Sequence, residues 1–129
     1  MKCLVVDPSP TVRRALVHAA QAIEAAPILV ADQPREALQG LEEQLELVMV
    51  GWSADDDLGL ELVRAVRADA RHTGARIVVI SPRRTREEVE RALQAGADDF
   101  VLRPFELEAL VKRLRRLAPP AEDERKEAA

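Results

Sequence analysis

Five short apolar runs recur along the chain, and segments with a different spacing of apolar residues separate them. Each run has two to four consecutive apolar residues, and no polar residue alternates with them. Runs of this kind are typical of strands that are buried on both faces of a parallel sheet. The sequence therefore predicts five strands, at residues 4–6, 28–30, 47–50, 77–80 and 101–102.

An amphipathic segment follows each of these runs, with apolar residues three or four positions apart. This spacing places the apolar side chains on one face of an α-helix. Ser9-Pro10 predicts a helix start, Thr85 with Glu88 fits a capping box, and Gly40 and Gly96 predict helix ends. The five helices are marked by Val12, Leu16, Ala19 and Ile23, by Ala37 and Leu41, by Leu60, Val63 and Val66, by Val89 and Leu93, and by Leu107, Leu110, Val111 and Leu114.

The alternation of strands and helices predicts a (βα)₅ fold. Helical crossovers between parallel strands are right-handed, so the sheet would lie between two layers of helices in a three-layer α/β sandwich. We expect residues 1–117 to form this single domain. Pro119 and Pro120 would end the last helix, and residues 118–129 are predicted to be a linker and a charged tail.

Composition and charge exclude several classes of function. The 129 residues suffice for one domain, and no apolar run approaches the ~20 residues of a membrane span. The chain starts without a signal-peptide pattern, so we expect a cytoplasmic protein that does not insert into membranes. One cysteine and two histidines make no zinc set, and a net charge of −4 argues against a nucleic-acid binder. We expect neither a metal nor a cofactor.

Open α/β sheets bind ligands at the carboxyl ends of their strands. The residues at these ends, Asp7, Asp32, Gly51, Ser81 and Arg103, are therefore the first candidates for a functional site.

Several segments around these positions resemble one family. LVVD at 4–7, GLEL at 59–62 and AGADDFVLRPF at 95–105 are similar to the receiver domain of two-component response regulators. The resemblance covers about residues 2–117 and implies a flavodoxin-like fold with a five-stranded parallel sheet in the order 2-1-3-4-5. Counted from Gly51, the family's turn glycine, switch hydroxyl, switch aromatic and invariant cation correspond to Gly59, Ser81, Phe100 and Arg103, which follow at 8, 30, 49 and 52 residues.

The resemblance also implies a phosphorylation site, and this chain lacks its central group. In the family, the position of Gly51 holds an aspartate that accepts a phosphoryl group from a histidine kinase beside a bound Mg²⁺. Here Gly51 has no side chain, Pro8 replaces the second acid, and Arg103 replaces a lysine. Asp7 and Ser81 are the remaining matches. We therefore expect a pseudo-receiver without enzymatic activity, a protein-interaction module of bacterial signalling, in which Asp7 accepts a hydrogen bond from Arg103.

Two other interpretations stay open from the sequence. An aspartate of the segment Asp55 to Asp57 would serve as a displaced phosphoacceptor if the third strand slipped by four residues. Such a slip would break the family spacing and move Gly51 into the strand. Alternatively, the pocket between Gly51, Ser81 and Arg103 would bind a small anion, and the chain would be a ligand sensor.

Individual residues around the expected site carry further predictions. The Arg103–Pro104 bond is expected to be cis, as in the family's lysine–proline segment. Phe100, at the position of the switch aromatic, is expected to point inward, because phenylalanine has no hydroxyl to hydrogen-bond. The other expectations concern exposure: Trp52 half-exposed, His18 and His72 at the surface, and Cys3 in the core.

The resemblance implies an interaction surface formed by the fourth helix, the fifth strand and the fifth helix. We expect Arg84 and Arg91 on the fourth helix, Asp98 and Asp99 at the start of the fifth strand, and Arg113 on the fifth helix. Two kinds of partner stay open, another signalling protein and a second copy of this chain. In a two-fold dimer, Asp98 or Asp99 of one chain would meet Arg113 of the other.

Overall fold

The described residues form one five-stranded parallel sheet. The structure is a computed structural model that describes residues 1–39, 44–53 and 57–117. The strand order is β2-β1-β3-β4-β5, as expected, and each neighbouring pair is parallel. Gly40, Leu41, Asp55, Asp56 and the predicted tail at 118–129 lie outside the described residues. The elements are β1 (Cys3–Val6), α1 (Pro10–Ala22), β2 (Ile28–Ala31), α2 (Pro34–Gln39), β3 (Leu47–Gly51), α3 (Leu58–Ala68), a 3₁₀ helix (Ala70–His72), β4 (Arg76–Ser81), α4 (Arg86–Ala95), β5 (Asp99–Leu102) and α5 (Leu107–Leu117).

Two hydrophobic cores cover the faces of the sheet. Successive strand residues point to opposite faces, so Val5 packs with Leu16 of α1 and Leu110 of α5, whereas Val6 packs with Leu60 of α3. The prediction that strands are buried on both faces is confirmed for β1, β3 and most of β4. It is wrong for β2, an edge strand in which Leu29 is 37% and Val30 is 51% exposed.

The predicted helix ends are largely confirmed. The Ser9 hydroxyl accepts the amide of Val12 at 3.3 Å, and α4 ends at Gly96 with a φ of 120°. The Thr85 hydroxyl accepts the amide of Glu88 at 3.1 Å, but the Glu88 carboxylate accepts from that same hydroxyl, so only half of the capping box forms. No helix within the described ranges is long and apolar enough to cross a membrane.

His72 and Leu93 differ from their predicted exposure. His72 was expected at the surface, but it is fully buried and its Nδ1 accepts the amide of Leu45 at 3.0 Å. The 3₁₀ helix turns the imidazole inward, and the sequence carries no periodic pattern for so short an element. Leu93 is exposed, because Ala92 and Ala95 form the inner face of α4. His18 is exposed and Cys3 is buried, as expected.

Candidate functional site

The carboxyl ends of β1, β3 and β5 bring the candidate residues to one edge of the sheet. Gly51 is the last residue of β3 and pairs with Ile80 of β4. Asp7 follows β1 and Arg103 follows β5. This register is the one that the sequence predicts: β3 ends at Gly51 and shows no four-residue slip.

A cavity of about 110 Å³ opens between these strand ends. Ser81, which we expected beside it, is fully buried and does not line the cavity. Its hydroxyl instead accepts the backbone amide of Arg83 at 3.2 Å. The lining residues are Asp7, Pro8, Gln33, Pro34, Gly51, Trp52, Ser53, Gly59 and Arg103.

Asp7 provides a carboxylate that is almost completely removed from solvent. Its side chain is 2% exposed, and Oδ1 accepts the backbone amide of Ser9 at 2.8 Å. Burial raises the pKa of Asp7, because water stabilises the charged form better than the protein interior does. The hydrogen bond from Ser9 and the charges of Arg103 and Arg13 oppose this rise in the pKa without cancelling it.

The carboxylate of Asp7 lies in the space that a side chain at position 51 would need. A Cβ atom built on Gly51 would stand 1.9 Å from Oδ2 of Asp7 and 2.7 Å from its Cγ. Real Cβ atoms do not approach other atoms this closely. Asp7 therefore adopts this orientation only because residue 51 has no side chain.

The expected hydrogen bond between Asp7 and Arg103 is absent. Within the described residues the two form neither a hydrogen bond nor an ion pair within 4 Å, and Nε of Arg103 is buried without a hydrogen-bond partner. The reason is the orientation of Asp7, whose two oxygens face Ser9 and Gly51. Arg103 acts on Asp7 through its charge alone.

Arg13 is a part of the site that the sequence analysis missed. Its Nη1 donates to the carbonyl of Asp7 at 2.9 Å and to that of Pro8 at 3.4 Å. The guanidinium thus joins the first turn of α1 to the end of β1. In the sequence, the one indication of this contact is an arginine three residues after Pro10, the first residue of α1.

Trp52 is a core residue, although we expected it to be half-exposed. It is 4% exposed, and the guanidinium of Arg91 lies over its ring at 5.3 Å from the centroid. Arg91 also forms an ion pair with Asp57 at the start of α3. Gly59 permits close packing here, because a Cβ on Gly59 would stand 3.1 Å from Cδ1 of Trp52. Arg91 therefore joins α4 to the loop before α3.

The predicted interaction residues divide between two parts of the molecule. Arg113 donates two hydrogen bonds to the Asp99 carboxylate within one chain, at 2.8 Å and 2.9 Å, and these bonds raise the pKa of Arg113. Asp98 faces away from α5, because it pairs with Arg67 of α3 and accepts the amide of Ile77 at 2.8 Å.

The two arginines expected on α4 also differ from the prediction. Arg84 precedes α4, which begins at Arg86, and it is exposed. Arg91 lies on α4 but turns toward Trp52. Asp99 and Arg113 are thus the expected charges that pair between β5 and α5.

Two local predictions at the fifth strand are confirmed. The Arg103–Pro104 bond is cis, as is Ala26–Pro27, which the sequence analysis did not predict. Phe100 is buried and belongs to the core that includes Ala92 of α4.

Comparisons with known proteins agree with this geometry. A family model described as the response regulator receiver domain matches residues 3–115. The chain is 31% identical over 116 residues to the chemotaxis protein CheY1 of Helicobacter pylori, covering 88% of this chain and 94% of that protein. The solved chemotaxis response regulator CheY4 of Vibrio cholerae is 26% identical, with a TM-score of 0.79 and coverage of 90% and 97%. A response regulator from Burkholderia pseudomallei, solved with a phosphorylated aspartic acid, shares the fold at 24% identity, with a TM-score of 0.74 and coverage of 99% and 72%.

The competition between Asp7 and a side chain at position 51 predicts non-additive stabilities. Gly51→Ala should lower the free energy of unfolding by about 1–3 kcal/mol, because the new methyl group forces the carboxylate to move. In an Asp7→Ala background the same substitution should cost less than about 0.5 kcal/mol. Urea unfolding of the four proteins measures the coupling. Gly74→Ala is the matched control, because a Cβ there meets nothing within 4 Å. Equal costs in both backgrounds would contradict the competition.

Burial of Asp7 predicts a pH-dependent gain in stability from Asp7→Asn. The pKa of Asp7 is higher in the folded chain than in the unfolded one, so its ionisation disfavours folding. This penalty is fully present above the folded pKa and vanishes as the pH falls below the unfolded pKa. Asparagine keeps an oxygen that accepts the Ser9 amide. At neutral pH we therefore expect Asp7→Asn to have a Tm a few degrees above that of the wild type, and this difference should shrink toward pH ~3. Thermal melts against pH, with exposed Asp32→Asn as control, check this. A lower Tm for Asp7→Asn at neutral pH would refute it.

Proposed function

The chain belongs to the response regulator receiver domain family, and we propose that it is a pseudo-receiver. In this proposal it takes no phosphoryl group, catalyses no reaction and acts by binding another signalling protein in the cytoplasm of a bacterial cell. Receiver domains interact with other signalling proteins, and both the matched relative and the matched structures are bacterial. The observation that carries the proposal is Gly51 at the end of β3.

Phosphotransfer to a receiver requires a carboxylate nucleophile at the end of β3. Gly51 supplies no side-chain atom at this place, and Oδ2 of Asp7 lies where its Cβ would be. Asp7 itself is a poor substitute, because its carboxylate is buried and held by Ser9. These contacts support a site that has lost its acceptor.

The residues of the site also do not fit the Mg²⁺ that the family uses. Mg²⁺ requires oxygen ligands in near-octahedral geometry. Asp7 offers a single carboxylate, and neither Pro8 nor Gly51 has a side-chain oxygen. Across residues 1–39, 44–53 and 57–117, no group of three or more acidic, histidine or cysteine side chains is placed to hold a metal ion.

The two alternative functions receive less support. Among the acids of the loop after β3, Asp57 is described, and its carboxylate is paired with Arg91 outside the cavity. A small anion in the cavity would meet the carboxylate of Asp7 as well as the guanidinium of Arg103. The like charge of Asp7 disfavours an anion there.

The surface of α4, β5 and α5 is the proposed binding face. Leu93, Leu102 and Leu107, one from each element, expose apolar side chains. Apolar residues at the centre of an interface provide most of the affinity, and charges such as the pair Asp99–Arg113 orient the partner. The two expected occupants remain another signalling protein and a second copy of this chain. Since Asp98 and Asp99 are paired internally, the apolar side chains must dominate either contact.

The first test of the proposal is phosphorylation. After incubation with acetyl phosphate and Mg²⁺, intact-mass spectrometry should show no gain of a phosphoryl group, because position 51 has no carboxylate. Beryllofluoride with Mg²⁺, a mimic of the phosphoryl group, should leave the NMR shifts of the strand ends unchanged. The Burkholderia pseudomallei response regulator, whose structure carries a phosphorylated aspartic acid, is the positive control. One added phosphoryl group on this chain would overturn the proposal and favour a displaced aspartate.

The second test concerns the binding face. If its partner is a second copy, sedimentation at about 100 μM should show a dimer, because a contact with a micromolar Kd is then saturated. Leu102→Ser should raise the Kd of dimerisation about tenfold, and Arg113→Glu should also raise it. Arg64→Glu, an exposed arginine of α3, is the control and should change nothing. A wild-type monomer leaves another signalling protein as the partner, and a dimer indifferent to Leu102→Ser would exclude this face.

A further inference from the structure

A second surface lies along β2, the outermost strand on the side of the sheet away from β5. β2 pairs with β1 on one side and is the terminal strand of the order β2-β1-β3-β4-β5. An edge strand presents backbone donors and acceptors that can pair with another chain, and proteins usually protect such strands with charged side chains. The residues Ile28–Ala31 carry no charge, and Val30 is 51% exposed.

The backbone of Val30 points away from the sheet. The amide of Cys3 donates to the carbonyl of Pro27 at 3.0 Å, and that of Asp7 donates to Ala31 at 3.2 Å. Alternate residues of a strand direct their N–H and C=O groups to opposite sides of the strand. The groups that face β1 therefore belong to every second residue, counted from Pro27 to Ala31. Val30 lies between them and therefore directs its N–H and C=O to the outer edge.

A basic groove runs beside this edge. It has a volume of about 310 Å³, and α1 forms one wall of it. Arg13 is held by backbone carbonyls of the first loop, whereas the side chains of Arg14 and His18 have no hydrogen-bond or ion-pair partner within the described part of the chain. In a chain with a net charge of −4, this groove contains cationic groups and no acid. The lining residues are Pro10, Arg13, Arg14, Val17, His18, Gln21 and Val30.

We propose that β2 binds an extended acidic segment of a partner protein, which adds a sixth strand to the sheet. The segment pairs with the outward N–H and C=O of Val30, and its acidic side chains on the α1 side reach Arg14 and His18. Its alternate side chains lie on the other face of the sheet, where Leu29 is exposed, and are apolar. The partner is thus defined as a strand of alternating acidic and apolar residues.

Charge selects this occupant over a second copy of the chain. A two-fold contact between two β2 strands would place the same residues of both copies near the axis. Arg14 of one α1 would then approach Arg14 of the other, and like charges disfavour such a contact. An acidic strand removes the repulsion and provides a counter-ion for Arg14.

The experiment uses a synthetic peptide of about six residues that alternates valine and glutamate, enough to cover a short strand. Titrated into the labelled full chain, it should shift the amide signals of β2 and α1 and leave those of β5 and α4 unchanged. Arg14→Glu should weaken binding about tenfold, and higher salt should weaken it as well. Arg84→Glu, the same charge reversal near the other sheet edge, should have no effect.

Two substitutions at one position test whether the peptide forms a strand. Val30→Pro removes the outward N–H, which makes no bond to β1, so the sheet should remain folded while binding is lost. Val30→Ala keeps the N–H and should retain binding within about threefold. Equal binding to both variants, equal binding of a valine–glutamine peptide, or no shifts at millimolar peptide would each overturn the proposal. If the chain alone self-associates and Val30→Pro abolishes this association, the occupant of β2 is a second copy of the chain and not an acidic partner.

Discussion

The contact between the Asp7 carboxylate and the empty side of Gly51 determines the state of the site. A buried carboxylate is unfavourable unless polar partners compensate it, and Asp7 has one hydrogen bond from Ser9 together with the charges of Arg103 and Arg13. It can lie there because position 51 contributes no atom beyond the backbone. The absence of a side chain at position 51 thus leaves room for the Asp7 carboxylate, which occupies the space beside Gly51.

This contact explains why the general plan of the site could be predicted while its internal bonds could not. The apolar runs establish the strands, and the strand order brings Asp7, Gly51 and Arg103 to one edge, as the resemblance implies. To predict whether Asp7 and Arg103 form a hydrogen bond, one must know which way the Asp7 carboxylate points. That orientation depends on a competition among Ser9, Gly51 and Arg103 at distances of a few ångströms. Residue types and spacing do not carry such information.

The remaining errors have a similar origin in tertiary contacts. His72 is polar and lies between two elements, which is typical of a surface residue, yet one hydrogen bond to Leu45 makes its burial tolerable. Trp52 is covered by Arg91, which lies 39 positions further along the chain, so no local pattern indicates its burial. Periodicity is reliable for α3, where a continuous apolar stripe faces the sheet. In α4 it holds for Val89, which packs against the core, and fails for Leu93, because the small Ala92 and Ala95 form the inner face there.

In the proposed function no phosphoryl group drives a change at the surfaces of this chain, so any such change needs another origin. Phe100 is buried in the core, and Arg91 connects α4 to the loop before α3 through Trp52 and Asp57. These contacts pack α4 against the core and link it to Trp52, which lines the cavity. A ligand can shift an equilibrium only if it binds two states with different affinities. In the proposed function Asp7 fills the space beside Gly51, and control passes to the binding partners. The two proposed surfaces would then act separately: an apolar one at β5, where Asp99 and Arg113 pair with each other, and a basic one at β2. A protein of this design would be an adaptor whose output depends on which partners are present.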